Sequence, residues 1–248
     1  MNNEPLSLVG HLEELRQRLW IIIVAVVIFS AIAYHFSPQI IDRLAQGTGG
    51  LVFLKPAEAF LARLKIAFFL GLFLSLPVLL FEAWRFVALG LTDNERKLLR
   101  WIVPASYGLF VSGTALALGG VAPTAAKFLL GFGSAGLRPM ITIGSYVEFL
   151  LFLAAAFGLL FQLPLVVLFL GKLGIVDAFK LTAYRKTVYL GIVAAAAVLT
   201  PGPDVFSQLL LAFPTLLLYE GSIFLVRWLC PAEKPAGVAA PGWENNHG

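Results

Sequence analysis

Leu19-Trp-Ile-Ile-Ile-Val-Ala-Val-Val-Ile-Phe-Ser-Ala-Ile-Ala-Tyr-His-Phe36 decides how the rest of the chain is read. It runs 18 residues without an Asp, Glu, Lys or Arg, and its apolar side chains cover every face of a helix. A helix rises 1.5 Å per residue, so this stretch just crosses a hydrocarbon core of about 30 Å. Five further stretches carry no charge: Ile66–Phe81, Trp101–Ala126, Phe149–Gly171, Thr187–Pro203 and Val205–Tyr219. Lipid offers no hydrogen bonds, and a helix is the open-ended structure that satisfies its own backbone there. Barrel strands need segments of about 10 residues alternating apolar and polar, a pattern these runs lack. The expectation is an all-α membrane protein of six transmembrane helices.

The bulk composition agrees. Of 248 residues, 59% are hydrophobic and 13% charged, about half the charged share of a soluble domain. Cys230 is the single cysteine, so no intrachain disulfide or cysteine metal site is available. His11, His35 and His247 lack metal-ligand spacing. No metal or other cofactor is expected, and the net charge of +4 calls for no nucleic-acid partner, because the basic residues sit in loops beside apolar runs. Glu13, Glu14, Arg16 and Arg18 precede the first run and no small-residue cleavage pattern follows it, so no cleavable signal peptide is expected.

Orientation follows from Lys and Arg. With the N-terminus inside, twelve lie in the inner segments and six in the outer ones. Both termini are therefore expected in the cytoplasm, although Arg43, Lys55, Arg63 and Lys65 weigh against this in the first outer loop. Trp20, Trp84, Trp101 and Trp228 all then fall at the cytoplasmic interface, where an indole prefers to sit. The chain divides into a cytoplasmic amphipathic segment at 1–18, a six-helix domain at 19–230, and a Pro-, Ala- and Gly-rich tail at 231–248 that is expected to be disordered. Spans five and six are expected to be short. Thr187–Thr200 makes only about 21 Å of helix, and the sixth run meets Glu220 after 15 residues.

Four motifs stand out. His11-Leu-Glu-Glu14-Leu-Arg16 reads either as an interfacial turn with solvated charges or as a carboxylate held to receive a cation. A carboxylate accepts two parallel bonds from a guanidinium, and partial desolvation strengthens them. Phe86-Val-Ala-Leu-Gly-Leu-Thr-Asp-Asn-Glu95-Arg96 places Glu95 either as a helix-capping acid or as a second carboxylate on the face of Glu14. Thr200-Pro-Gly-Pro-Asp204-Val-Phe-Ser-Gln208 offers a cap and an intramembrane amide. Phe157-Gly-Leu-Leu-Phe-Gln162-Leu-Pro164 offers another amide near mid-membrane, with Glu148 about 21 Å away at the outer edge. Either amide also reads simply as interhelical glue.

Taken in order, these motifs resemble the TatC family, the signal-peptide receptors of the twin-arginine protein export system. The resemblance rests on His11-Leu-x-Glu14-Leu-Arg16, Pro77…Trp84-x-Phe86…Glu95-Arg96, Ala156-Phe-Gly-x-x-Phe-Gln162-x-Pro164 and Thr200-Pro…Asp204-Val-Phe-Ser-Gln208, from His11 to about Arg227. It implies that Glu14 and Glu95 bind the arginine pair of a signal peptide on folded cargo, with Phe86 and Arg16 beside them. Asp204 and Gln208 match positions near the contact with a partner helix, and Gln162 is grouped with them as an intramembrane polar residue. The implied partners are TatA- and TatB-type single-span subunits and further copies of the chain, in a bacterial-type inner membrane, with export driven by the proton-motive force. Two positions depart from the family pattern: Gln162 stands where Glu is usual, and Leu89 where Pro is usual. A rival reading is a proton- or ion-coupled small-solute transporter, whose mark is several ionisable groups at mid-membrane. An intramembrane enzyme needs a catalytic pair at depth, and the sequence offers no catalytic residue.

Overall fold

A computed structural model describes residues 8–47, 50–87, 93–132, 140–200 and 205–229. The tail at 231–248 and the turn at 201–204 lie outside the described residues. The first span is helix α1, Leu8–Gly47, and the second is α2, Pro56–Val87. The third is α3, Asp93–Leu116, continued through a π turn, Ala117–Val121, into α4, Ala122–Leu130. The fourth is α5, Ile143–Leu160, and α6, Leu163–Lys172. A short helix α7, Ala178–Ala183, leads into the fifth span, α8, Arg185–Leu199, and the sixth is α9, Val205–Leu229. Among the described residues there is no strand, only one isolated parallel bridge between Val52 and Thr142.

Five of the six spans are long and apolar enough to cross a membrane by themselves. α8, at 15 residues, makes about 22 Å of helix and is short, as its sequence indicates. The sixth span is not short. The apolar run ends at Tyr219, yet α9 runs on to Leu229, 25 residues in all, because the Glu220 carboxylate is taken up by Arg185 and Tyr189 of α8. A paired charge does not stop a helix.

Most apolar residues on α1 face outward: Leu19, Trp20, Val27 and Ile28 are each more than half exposed. That surface needs lipid rather than a protein core. Pro38 within α1 cannot bond the Tyr34 carbonyl, and the buried Ser37 hydroxyl donates to that oxygen instead, at 2.8 Å. α1 and α2 pack antiparallel along their length. Gly71 makes this possible, since a Cβ there would lie 2.0 Å from Ser30 Oγ. The main core forms where the π turn meets α5, α8 and α9, around Ala117, Val121, Leu153, Phe157, Ala196 and Leu211.

On the face opposite the N-terminus, Glu58 ties two helix starts together. Its carboxylate accepts from the backbone N–H of Leu54 at 2.9 Å and of Gly144 at 3.0 Å. Gly144 is a first-turn donor of α5 without an intrahelical partner and Leu54 lies just ahead of α2, and a negative charge suits that end of each dipole.

Candidate functional site

Among the described residues, the candidate side chains fall into three polar groups. The first lies at the N-terminal end of α1. Glu14 and Arg18 are one turn apart and form an ion pair. Arg18 also donates to Glu82 of α2 through its second terminal nitrogen, at 2.7 Å. Arg18 is 5% exposed and Glu82 6%. Burying one charge costs several kcal/mol, and the site compensates by pairing both with direct charged hydrogen bonds. Glu14 is the open member of the group, with its side chain 35% exposed. Arg85 approaches Glu82 at 3.9 Å from the exposed side. Arg18 Nε, although buried, finds no acceptor among the described residues.

Arg18 lies opposite Glu82 and Ser30 opposite Gly71, a register that sets Glu14 level with Phe86, in the last turn of α2. Two of the candidate residues are thus at the same end of one helix pair. Arg16 is not part of the buried group: it turns outward, 67% exposed, and pairs with Glu13. Glu95 falls in the first turn of α3, with its side chain outside the described residues. Asp204 lies wholly outside them.

The second group is deeper. The chain breaks between α5 and α6 at Phe161–Gln162, ahead of Pro164, and the freed Gln162 side chain reaches α3. Its Nε2 donates to the Ser106 carbonyl at 2.9 Å, while Trp84 Nε1 donates to the Ser106 hydroxyl at 3.1 Å. Trp84 therefore faces inward, with its ring edge against Phe169 at 5.1 Å between centroids. Trp20, Trp101 and Trp228 stay exposed. The third group joins α8 to α9. Gln208 Nε2 donates to the Val193 carbonyl at 3.0 Å, and Arg185 pairs with Glu220 at 2.6 Å. Gln162 and Gln208 thus serve different helix contacts. Glu148 sits in the N-terminal part of α5, exposed and paired with Lys65.

Sequence reasoning missed Glu82. The signal was present, because the second apolar run stops at Phe81 only on account of this charge. An ionisable residue within the last turns of a spanning helix marks a functional group by default.

Residues 10–214 match the family model described as "Sec-independent protein translocase protein (TatC)". The chain is 44% identical to the Sec-independent protein translocase protein TatC of Carboxydothermus hydrogenoformans, over 94% of this chain and 98% of that protein. It is 34% identical to TatCd of Bacillus subtilis, over 91% and 93% of the two chains. A crystal structure of the twin-arginine translocase receptor TatC superposes with a TM-score of 0.77 at 35% identity, covering 88% of this chain and 98% of that one. With family-wide sequence similarity, six spans in the shared order and a matching fold, the chain belongs to the TatC family of Sec-independent protein translocases.

Proposed function

We propose that this multi-pass membrane protein is the signal-peptide receptor of a twin-arginine export system, working at the face that carries the start of α1. In this reading the face is cytoplasmic and the membrane is a bacterial-type inner membrane. Glu14 and Glu95 accept the guanidinium groups of the arginine pair, Phe86 packs beside them, and Arg16 lies at the rim. Asp204, Gln208 and the intramembrane Gln162 belong to the surfaces on which single-span TatA- and TatB-type subunits assemble, with further copies of this chain. Passage of the folded cargo then draws on the proton-motive force. The residues named here position and bind; none is assigned a bond-making role.

The observation that carries this reading is the partly exposed Glu14 carboxylate, anchored on a buried ion pair and level with an aromatic ring. A carboxylate at a half-desolvated interface gives a guanidinium charged hydrogen bonds stronger than those available in water. Lysine offers no planar fork, so the site favours arginine.

The test is binding of a fluorescent twin-arginine signal peptide to the detergent-purified protein, with a Lys-Lys peptide as control. The wild type should prefer Arg-Arg, and Glu14→Ala or Glu95→Ala should each weaken binding about tenfold, the scale of one charged hydrogen bond. Equal binding of both peptides by the wild type and both variants would sink the reading.

A further inference from the structure

Arg18 is a guanidinium already bound to the carboxylate that the incoming arginine must use. It donates to Glu14 with one terminal nitrogen and to Glu82 with the other, at 2.7 Å. We infer that Arg18 is an internal competitor for Glu14, and that Glu82 is the positioning residue that makes its release possible. This inference rests on the receptor reading of Glu14.

The physical argument concerns what happens to Arg18 when a ligand guanidinium takes Glu14. A buried guanidinium stripped of its only anionic partner is strongly unfavourable, so displacement from a lone Glu14–Arg18 pair would be resisted. Glu82 removes that obstacle. It is itself 6% exposed and faces Arg18 across the helix pair, so the displaced cation remains paired. Arg85, 3.9 Å from the other Glu82 oxygen, is 60% exposed and offers Glu82 only a distant, solvated counter-charge. Arg18 Nε adds to the picture: it is buried and finds no acceptor among the described residues. The guanidinium is thus held through its two terminal nitrogens, one on each carboxylate, with no further bond at Nε among the described residues. The empty receptor occupies one side of its own partly exposed carboxylate, and a ligand that can exchange with Arg18 takes that place. Recognition becomes an exchange of one guanidinium for another, which a compact ammonium performs less well.

Removing the charge of Glu82 leaves Glu14 as the sole anion for Arg18. Glu82→Gln should therefore weaken twin-arginine peptide binding about tenfold, the effect of tightening one charged hydrogen bond. A general loss of negative potential would act in the same direction, but it would weaken Arg-Arg and Lys-Lys peptides alike and would leave Glu82→Asp at the wild-type level; the double variant Arg18→Gln/Glu82→Gln then tests whether Arg18 is the competitor. It also lacks the Glu82 charge, but it has no competitor, so its binding should return to the wild-type level or tighter. Glu82→Asp, which keeps the charge on a shorter stem, should fall between wild type and Glu82→Gln. Thermal unfolding in the same detergent identifies any variant that has lost its fold, and the double variant buries no unpaired charge at this pair. Wild-type discrimination of Arg-Arg from Lys-Lys with unchanged binding by Glu82→Gln would overturn the exchange. So would a double variant weaker than Glu82→Gln, because Arg18 would then be orienting Glu14 rather than competing for it. Loss of discrimination in the wild type itself would instead count against the receptor reading.

Discussion

At the residue scale, several polar side chains inside this molecule answer a specific backbone or charge demand. Gln162 is the clearest case. The helix breaks beside it, and its amide donates to the Ser106 carbonyl of a neighbouring span. An ionised carboxylate at this position has no proton to donate to that carbonyl, so the amide suits the contact as built. Gln162→Leu removes the donor but leaves the Ser106 carbonyl with its helical partner. We expect a loss of about 1 kcal/mol, the usual worth of such a bond between membrane helices. The measurement is the unfolding midpoint in detergent, with twin-arginine peptide binding kept as a check that the distant site is intact. The glutamine was visible in the sequence as intramembrane glue; its partner was not, because Ser106 lies 56 residues away and only packing joins them.

At the scale of elements, close helix approach rests on missing Cβ atoms. Gly71 sits against the backbone of Ser30, with an added Cβ 2.5 Å from both its Cα and its N. Backbone cannot rotate away as a side-chain tip can, so Gly71→Ala must push α1 and α2 apart. The cost should reach about 3 kcal/mol, the upper end for overpacking. Gly158 is a milder instance, because the obstacle is the Phe110 ring at 2.5 Å, a side chain that can move. Thermal unfolding of Gly71→Ala beside Gly158→Ala tests the ranking, and the first should be the less stable. The α1–α2 register also aligns Arg18 with Glu82, so Gly71→Ala should weaken peptide binding as well, with no ligand-facing atom changed. The spans themselves were legible from their uncharged runs. Their true ends were not: α1 runs on past Phe36 to Gly47, and α9 runs past Glu220 to Leu229.

At the scale of the whole molecule, the membrane sets lengths and the loops set direction. α8 covers about 22 Å against a core of about 30 Å, so the bilayer thins beside it or its ends hold polar groups at depth. The Arg185–Glu220 pair at the start of α8 is such a group, and Gln208 bonds the Val193 carbonyl midway along it. The excess of Lys and Arg on the face of the N-terminus predicts that this face is cytoplasmic. In a Cys230→Ser background, Met140→Cys should react with a membrane-impermeant maleimide added to intact cells. Lys180→Cys should react only after permeabilisation. The reverse pattern would invert the topology and place Glu14 on the wrong side for a cytoplasmic ligand.

The sequence by itself determined that the chain lives in lipid and crosses it six times. Solvation acts residue by residue, and an uncharged run of sufficient length leaves the backbone no alternative to a helix. It also marked Glu14, Phe86, Gln162 and Gln208 as polar or aromatic punctuation worth explaining, because such residues are costly or purposeful at a membrane. Only the tertiary structure decided which of them share a site. Glu14 and Phe86 come level because Gly71 lets two helices meet in one register, whereas Arg16, two residues from Glu14, turns to solvent. Only the structure could convert Glu82 from the end of an apolar run into the buried partner of Arg18. The pairing spans 64 residues, and a buried charge reveals its purpose only through the opposite charge packed against it.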